Sequence, residues 1–145
     1  MATDNATIMG GEDQMDIEWG IVDICGINIS EYIEDDTLLT RELVEKNFEE
    51  IMKYVKSEYN NYVAHQVLGY IILKTGSNLP SELQNDILMC ALWDIEKEFW
   101  LQNPRWENPR KFFLKDFKTK IGNHVAGKKT LLEEIYPEDP DYMLG

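Results

Sequence analysis

From Val63 to Leu73, within the run YVAHQVLGYIILKT, the chain is apolar on nearly every side of a helix. A helix with no polar face cannot lie on a surface, so it has to be surrounded by other elements at the centre of a fold. Gly76 comes next, where a helix stop favours a residue free to turn left-handed. The flanking segments carry the spacing of threes and fours that such a centre needs as cover. Leu43, Val44, Phe48, Ile51, Met52, Val55 and Tyr59 form one stripe, with Thr40 placed to cap it. Leu83, Ile87, Leu88, Ala91, Leu92, Ile95 and Phe99 mark a third long helix ending near Leu101, with Ser81 and Gln84 at capping-box spacing. Asn108 and Pro109 supply a cap and a first-turn proline for a fourth, whose stripe is Phe112, Phe113, Phe117 and Ile121 and whose stop is Gly122. The expected fold is all-α, a compact bundle of four to five helices.

Residues 1–14 show no periodic apolar pattern, so a disordered N-terminal tail is expected there, with 15–145 as a single helical domain and Met15 as an alternative start. Ile17 to Ile33 crowds β-branched residues around Gly20 and Gly26, which predicts packed loop and short helix. From Tyr136 two prolines and several acids predict an extended C-terminal tail. No apolar run approaches the ~20 residues of a membrane span, and the N-terminus lacks a secretory pattern, so a cytoplasmic location and no membrane partner are expected. Cys25 and Cys90 stand in no paired motif and are expected as reduced, partly buried thiols.

Sequence motifs for chemistry are missing. His65 and His124 have no second ligand at HExxH or HxxxH spacing. His65, inside the apolar helix, is expected to be buried with a satisfied ring nitrogen, and His124 to sit at the surface near a helix end. Neither a GxSxG elbow nor a phosphate-binding loop occurs. The expectation is a non-enzymatic protein without catalytic residues, metal or cofactor.

Charge carries more information. The net charge is −13, yet Arg105 to Lys129 holds eight cations against two acids, a net of +6 that leaves −19 on the rest. Cations interleaved with Trp106 can bind phosphates or stack on bases, but the surrounding negative field opposes a long polyanion, so no nucleic-acid partner is expected. Pairing of these cations with acids on neighbouring helices is favoured, with a phosphorylated small molecule near Asn108 and Arg110 as the other option. The acidic residues Glu34, Asp35, Asp36, Glu42, Glu45, Glu49 and Glu50, together with Trp106 and Arg110, form the expected contact set for a basic partner protein. Oligomeric state stays open.

The block YVAHQVLGYIILKTGSNLPSEL, a long helix, and then WENPRKFFLKDFKTKI resembles small helical bacterial immunity proteins encoded beside polymorphic or contact-dependent toxins. The similarity covers about residues 60–121. It implies stoichiometric binding of a cognate toxin, often a basic nuclease, by an acidic surface, and it transfers no catalytic residue. Two alternatives remain: a phage or plasmid inhibitor whose carboxylates imitate nucleic acid to block a host nuclease, and a small-ligand binder or enzyme using the Trp106 and Arg110 region.

Overall fold

In the computed structural model, which describes residues 5–139, the chain forms helices α1 (Glu12–Ile24), α2 (Ile29–Glu34), α3 (Arg41–Lys46), α4 (Phe48–Ser57), α5 (Asn61–Thr75), α6 (Ser81–Met89), α7 (Trp93–Trp100) and α8 (Glu107–Gly122). Two 3₁₀ turns, Asp36–Leu38 and Pro104–Trp106, complete the order, and no strand occurs among the described residues. The all-α expectation holds. The count of four to five helices does not, because two expected long helices are each broken in two and the N-terminal region adds two more.

The central helix is α5, of whose 15 residues 11 are buried, with α1, α3, α4, α6 and α8 packed against it. Gly69 allows the closest approach. A Cβ there would lie 2.6 Å from Cζ of Phe117 on α8, so only a glycine lets the two helices meet at this depth. Gly76 ends α5 in the left-handed region at φ 71°. The last carbonyls of a helix lack intrahelical partners. Here the segment after α8 supplies them, as the N–H groups of Gly127 and Thr130 donate to the carbonyls of Gly76 and Leu73, both at 2.8 Å. That pairing straps residues 127–131 across the end of the central helix.

The breaks have identifiable causes. Thr40 caps α3 as expected, its hydroxyl accepting from Leu43 N at 3.3 Å. Just beyond α3 the Asn47 side chain donates to the Leu43 carbonyl at 2.8 Å, and the chain restarts as α4. Between α6 and α7 the carbonyl of Cys90 accepts from the buried Gln66 side chain at 3.0 Å, and Leu92 turns extended. The capping box does not form: α6 starts after Pro80 with no side-chain cap, and Gln84 instead donates to the Ile121 carbonyl of α8 at 2.9 Å. Asn108 lies inside α8, and Asn103 caps the preceding 3₁₀ turn in its place.

The expected disordered tail is corrected. Ala6 is 0% and Ile8 2% exposed, and α1 already begins at Glu12. Two apolar side chains at alternate positions fill the core there, and Arg110 binds the intervening backbone. Residues 1–4 lie outside the described residues. Ile17 to Ile33, expected as packed loop with a short helix, has the short helix in α2 and a loop at 25–28, but its first part belongs to the longer helix α1. At the C-terminus Tyr136 is buried against Phe112, ring centroids 5.6 Å apart, and the rest of the expected extended tail, 140–145, falls outside the described residues. Among the described residues no helix is long and apolar enough to cross a membrane.

Candidate interaction surface

The acidic run Glu34 to Asp36 begins at the end of α2 and enters the first 3₁₀ turn, which the Asp35 carboxylate caps by accepting from Thr37 N at 3.1 Å. α3 carries Glu42 and Glu45, and α4 carries Glu49 and Glu50. These acids all lie at the surface, but their charge is not equally available. Asp36 pairs with Lys74 at 2.9 Å, Glu45 with Arg41 at 2.7 Å, and Glu50 and Glu49 with Lys53 at 3.2 and 3.9 Å. Glu45 also accepts from Asn78 N, and these two bonds hold its carboxyl below the usual range. Among the described residues Glu34, Asp35 and Glu42 have no cation within salt-bridge distance. They are the uncompensated part of the face.

A groove of about 530 Å³ opens beside them, walled by Asp36, Thr37, Leu39, Thr40, Arg41 and Glu42 on one side and by Lys74, Thr75, Lys129 and Leu131 on the other. Leu131 on its wall is 76% exposed, and Ile33 and Leu38, which flank its Asp36 and Thr37 wall in the chain, are 63% and 38% exposed. Apolar side chains bordered by charge have the make-up of an interface centre with a polar rim. Lys74 anchors the groove floor. Burial works against its charge, but bonds to Asp36 and the Tyr32 hydroxyl outweigh that, and the ammonium stays protonated well above its ordinary range. Tyr32 in turn donates to Glu18 at 2.7 Å.

Trp106 and Arg110 do not belong to this surface. Arg110 is 1% exposed. Its Nε donates to Glu96, its Nη2 to Gln66 Oε1 at 2.9 Å, and its Nη1 to the carbonyls of Ala6 and Thr7 at 3.2 and 2.9 Å. The guanidinium also lies 4.6 Å from the Trp100 ring, on which Trp106 packs edge-on. The ligand space expected between Trp106, Arg110 and the third helix is therefore filled by protein, and no partner can reach Arg110. Sequence reasoning missed this cluster although a signal existed: Glu96 and Arg110 are opposite charges placed within apolar stripes of two helices.

The remaining cations meet the pairing expectation in part. Lys111 pairs with Glu107 at 2.7 Å and Lys120 with Asp116 at 2.9 Å, both within α8 rather than across helices. Among the described residues Lys115, Lys118, Lys128 and Lys129 have no ion-pair partner.

A second cavity, of about 340 Å³, is lined by Lys56, Asn61, His65, Asp86, Met89 and Cys90. His65 is buried, with Nδ1 2.8 Å from the Asn61 carbonyl, as its position in the apolar helix predicts. Burial and the nearby Asp86 push the Cys90 thiol up, so it stays protonated at neutral pH and is not an activated nucleophile. His124 is half-buried rather than on the surface, its Nε2 2.7 Å from the Ser77 carbonyl. Both cysteines are free thiols. Among the described residues no group of three or more His, Cys, Asp or Glu side chains is placed to hold a metal ion. No protein family, curated protein or solved structure matches the chain.

Proposed function

We propose that this chain is a cytoplasmic binding protein that neutralises a basic partner protein, most concretely an immunity protein blocking a nuclease-type toxin. One observation carries the reading: uncompensated Glu42 and exposed Leu131 line a groove, and next in the chain to its Asp36 and Thr37 wall come the uncompensated Glu34 and Asp35 and the exposed Ile33 and Leu38, on a chain of net charge −13. The long-range field draws in a cationic surface and sets the association rate, while the apolar residues slow its departure. A toxin held this way has its cationic active-site groove covered. The acids are interrupted by Arg41, Lys46 and Lys53, a mixture that favours a protein surface over imitation of a polyphosphate backbone.

The test is affinity capture from the native host at low salt, followed by kinetics with the partner recovered. Changing Glu34→Gln, Asp35→Asn and Glu42→Gln together is expected to lower the association rate constant by about tenfold and to flatten its salt dependence. An unchanged rate and salt slope, or no partner at any ionic strength, overturns the reading.

A further inference from the structure

We propose that the cavity lined by Lys56, Asn61, His65, Asp86, Met89 and Cys90 is a binding site for a small zwitterion with the chemistry of a free α-amino acid. It lies where the end of α4, the first turns of α5 and the last turn of α6 meet, and it shares no lining residue with the groove of the acidic corner. Its volume of about 340 Å³ falls in the range of small-molecule pockets. The floor supplies a hydrogen-bond acceptor. His65 is 5% exposed, and its Nδ1 lies 2.8 Å from the Asn61 carbonyl. A carbonyl only accepts, so Nδ1 holds the proton, and in the uncharged ring Nε2 presents a lone pair. Among the described residues Nε2 has no partner, and it is not one of their enclosed polar atoms, so it opens into the cavity that His65 lines. With little water to compete there, a ligand donor that reaches it forms a strong bond.

The rim decides what that ligand is. Lys56 and Asp86 are both exposed and line the same cavity, yet among the described residues neither has an ion-pair partner, the other included. A simple anion drawn by Lys56 meets the Asp86 carboxylate, and a simple cation drawn by Asp86 meets Lys56. A ligand carrying both signs uses both residues. An ammonium has three donors, enough to serve Asp86 and the His65 lone pair together, while a carboxylate answers Lys56. Met89, 61% exposed, and the half-buried Cys90 complete the wall with polarisable apolar surface, which suits an aliphatic or thioether side chain on the ligand.

Saturation-transfer difference NMR titrations of the full chain with each standard amino acid test this. At least one with an aliphatic or thioether side chain is expected to bind with a Kd of about 1–10 mM, as suits charges on an open rim. Isoamylamine and isocaproate, which each keep one of the two charges, should bind about tenfold more weakly, because each loses a charge-assisted bond. Lys56→Gln and Asp86→Asn alter exposed side chains that make no internal bond among the described residues, so the fold is kept, and each should weaken the amino acid about tenfold. Binding by none of the amino acids overturns the proposal. So does equal binding of a singly charged analogue, or a Kd that changes by less than about twofold in either variant.

Discussion

Glu96→Leu removes the acid of the buried ion pair while roughly keeping side-chain volume, and its consequence is set by the bonds Glu96 makes. The carboxylate accepts from Arg110 Nε, from Gln66 Nε2 at 3.0 Å and from Trp100 Nε1 at 2.9 Å, with all the partners buried. Without it the guanidinium remains in the core with no counter-charge, which costs about 3–5 kcal/mol. Trp100 Nε1 is orphaned as well, while Gln66 Nε2 keeps only its bond to the Cys90 carbonyl, and because these losses overlap with that of the charge the expected total is about 4–6 kcal/mol. Arg110→Met is milder, at about 3 kcal/mol, because Glu96 keeps two donors and the half-buried Thr7 carbonyl can be reached by water. The double variant removes both charges and is expected at about 2–3 kcal/mol, less than Glu96→Leu alone. Urea unfolding monitored by far-UV circular dichroism reads these differences. With a slope of about 2 kcal/mol/M, Glu96→Leu should move the midpoint down by about 2–3 M. If the two single effects add in the double variant, or Glu96→Leu shifts the midpoint by less than about 0.5 M, the pair is not the coupled core described here.

Two further outcomes are expected. Bonds from Arg41 and Asn78 lower the carboxyl pKa of Glu45, so its contribution is present above the unfolded-state value and lost as pH falls through the folded one. Because the pair is exposed, Glu45→Gln should cost at most about 0.5 kcal/mol at pH 7 and progressively less as the pH falls through the folded value, and a Tm difference that does not shrink on acidification would contradict this. Burial pushes the Cys25 thiol up to about 11, whereas Cys90 is only half-buried. A thiol reagent at about pH 8 should modify Cys90 slowly and Cys25 only after unfolding, and rapid double labelling of native protein would show that the α1 to α3 side of the core is open.

What could be read from the residues depended on how local its cause was. The central helix and its Gly76 stop were legible because a segment apolar on all sides has one solution, burial, and the Thr40 cap because it acts on Leu43, three positions away. The break between α6 and α7 was hidden, since the apolar stripe keeps its phase across it and its cause, the bond from Gln66 to the Cys90 carbonyl, comes from 24 positions upstream. The ordered N-terminus was hidden for the same reason: Ala6 and Ile8 show a two-residue alternation too short to register, and the guanidinium that binds their backbone is 104 positions from Ala6. Of the contact residues, the seven acids were placed correctly at the surface because no apolar stripe claims them. Arg110 belongs instead to the buried face, as its position three, four and seven residues before the buried Phe113, Leu114 and Phe117 implies despite its charge.

The same contrast separates the charge that holds this fold from the charge that faces outward. Most of the ion pairs are exposed and lie within one helix, three or four positions apart, and such pairs contribute about 0–1 kcal/mol each. Among the described residues only Arg110 and Glu96 are both fully enclosed. The fold therefore depends little on the sign or number of its surface charges, so its stability gives no reason for the chain to carry −13. Neutralising Glu34 and Glu42 removes no internal bond to a cation, and Asp35→Asn keeps the acceptor that caps the 3₁₀ turn. A change in partner association caused by those three substitutions consequently reports on the outward field and not on a damaged structure, which is what makes the acidic corner separable from the core it stands on.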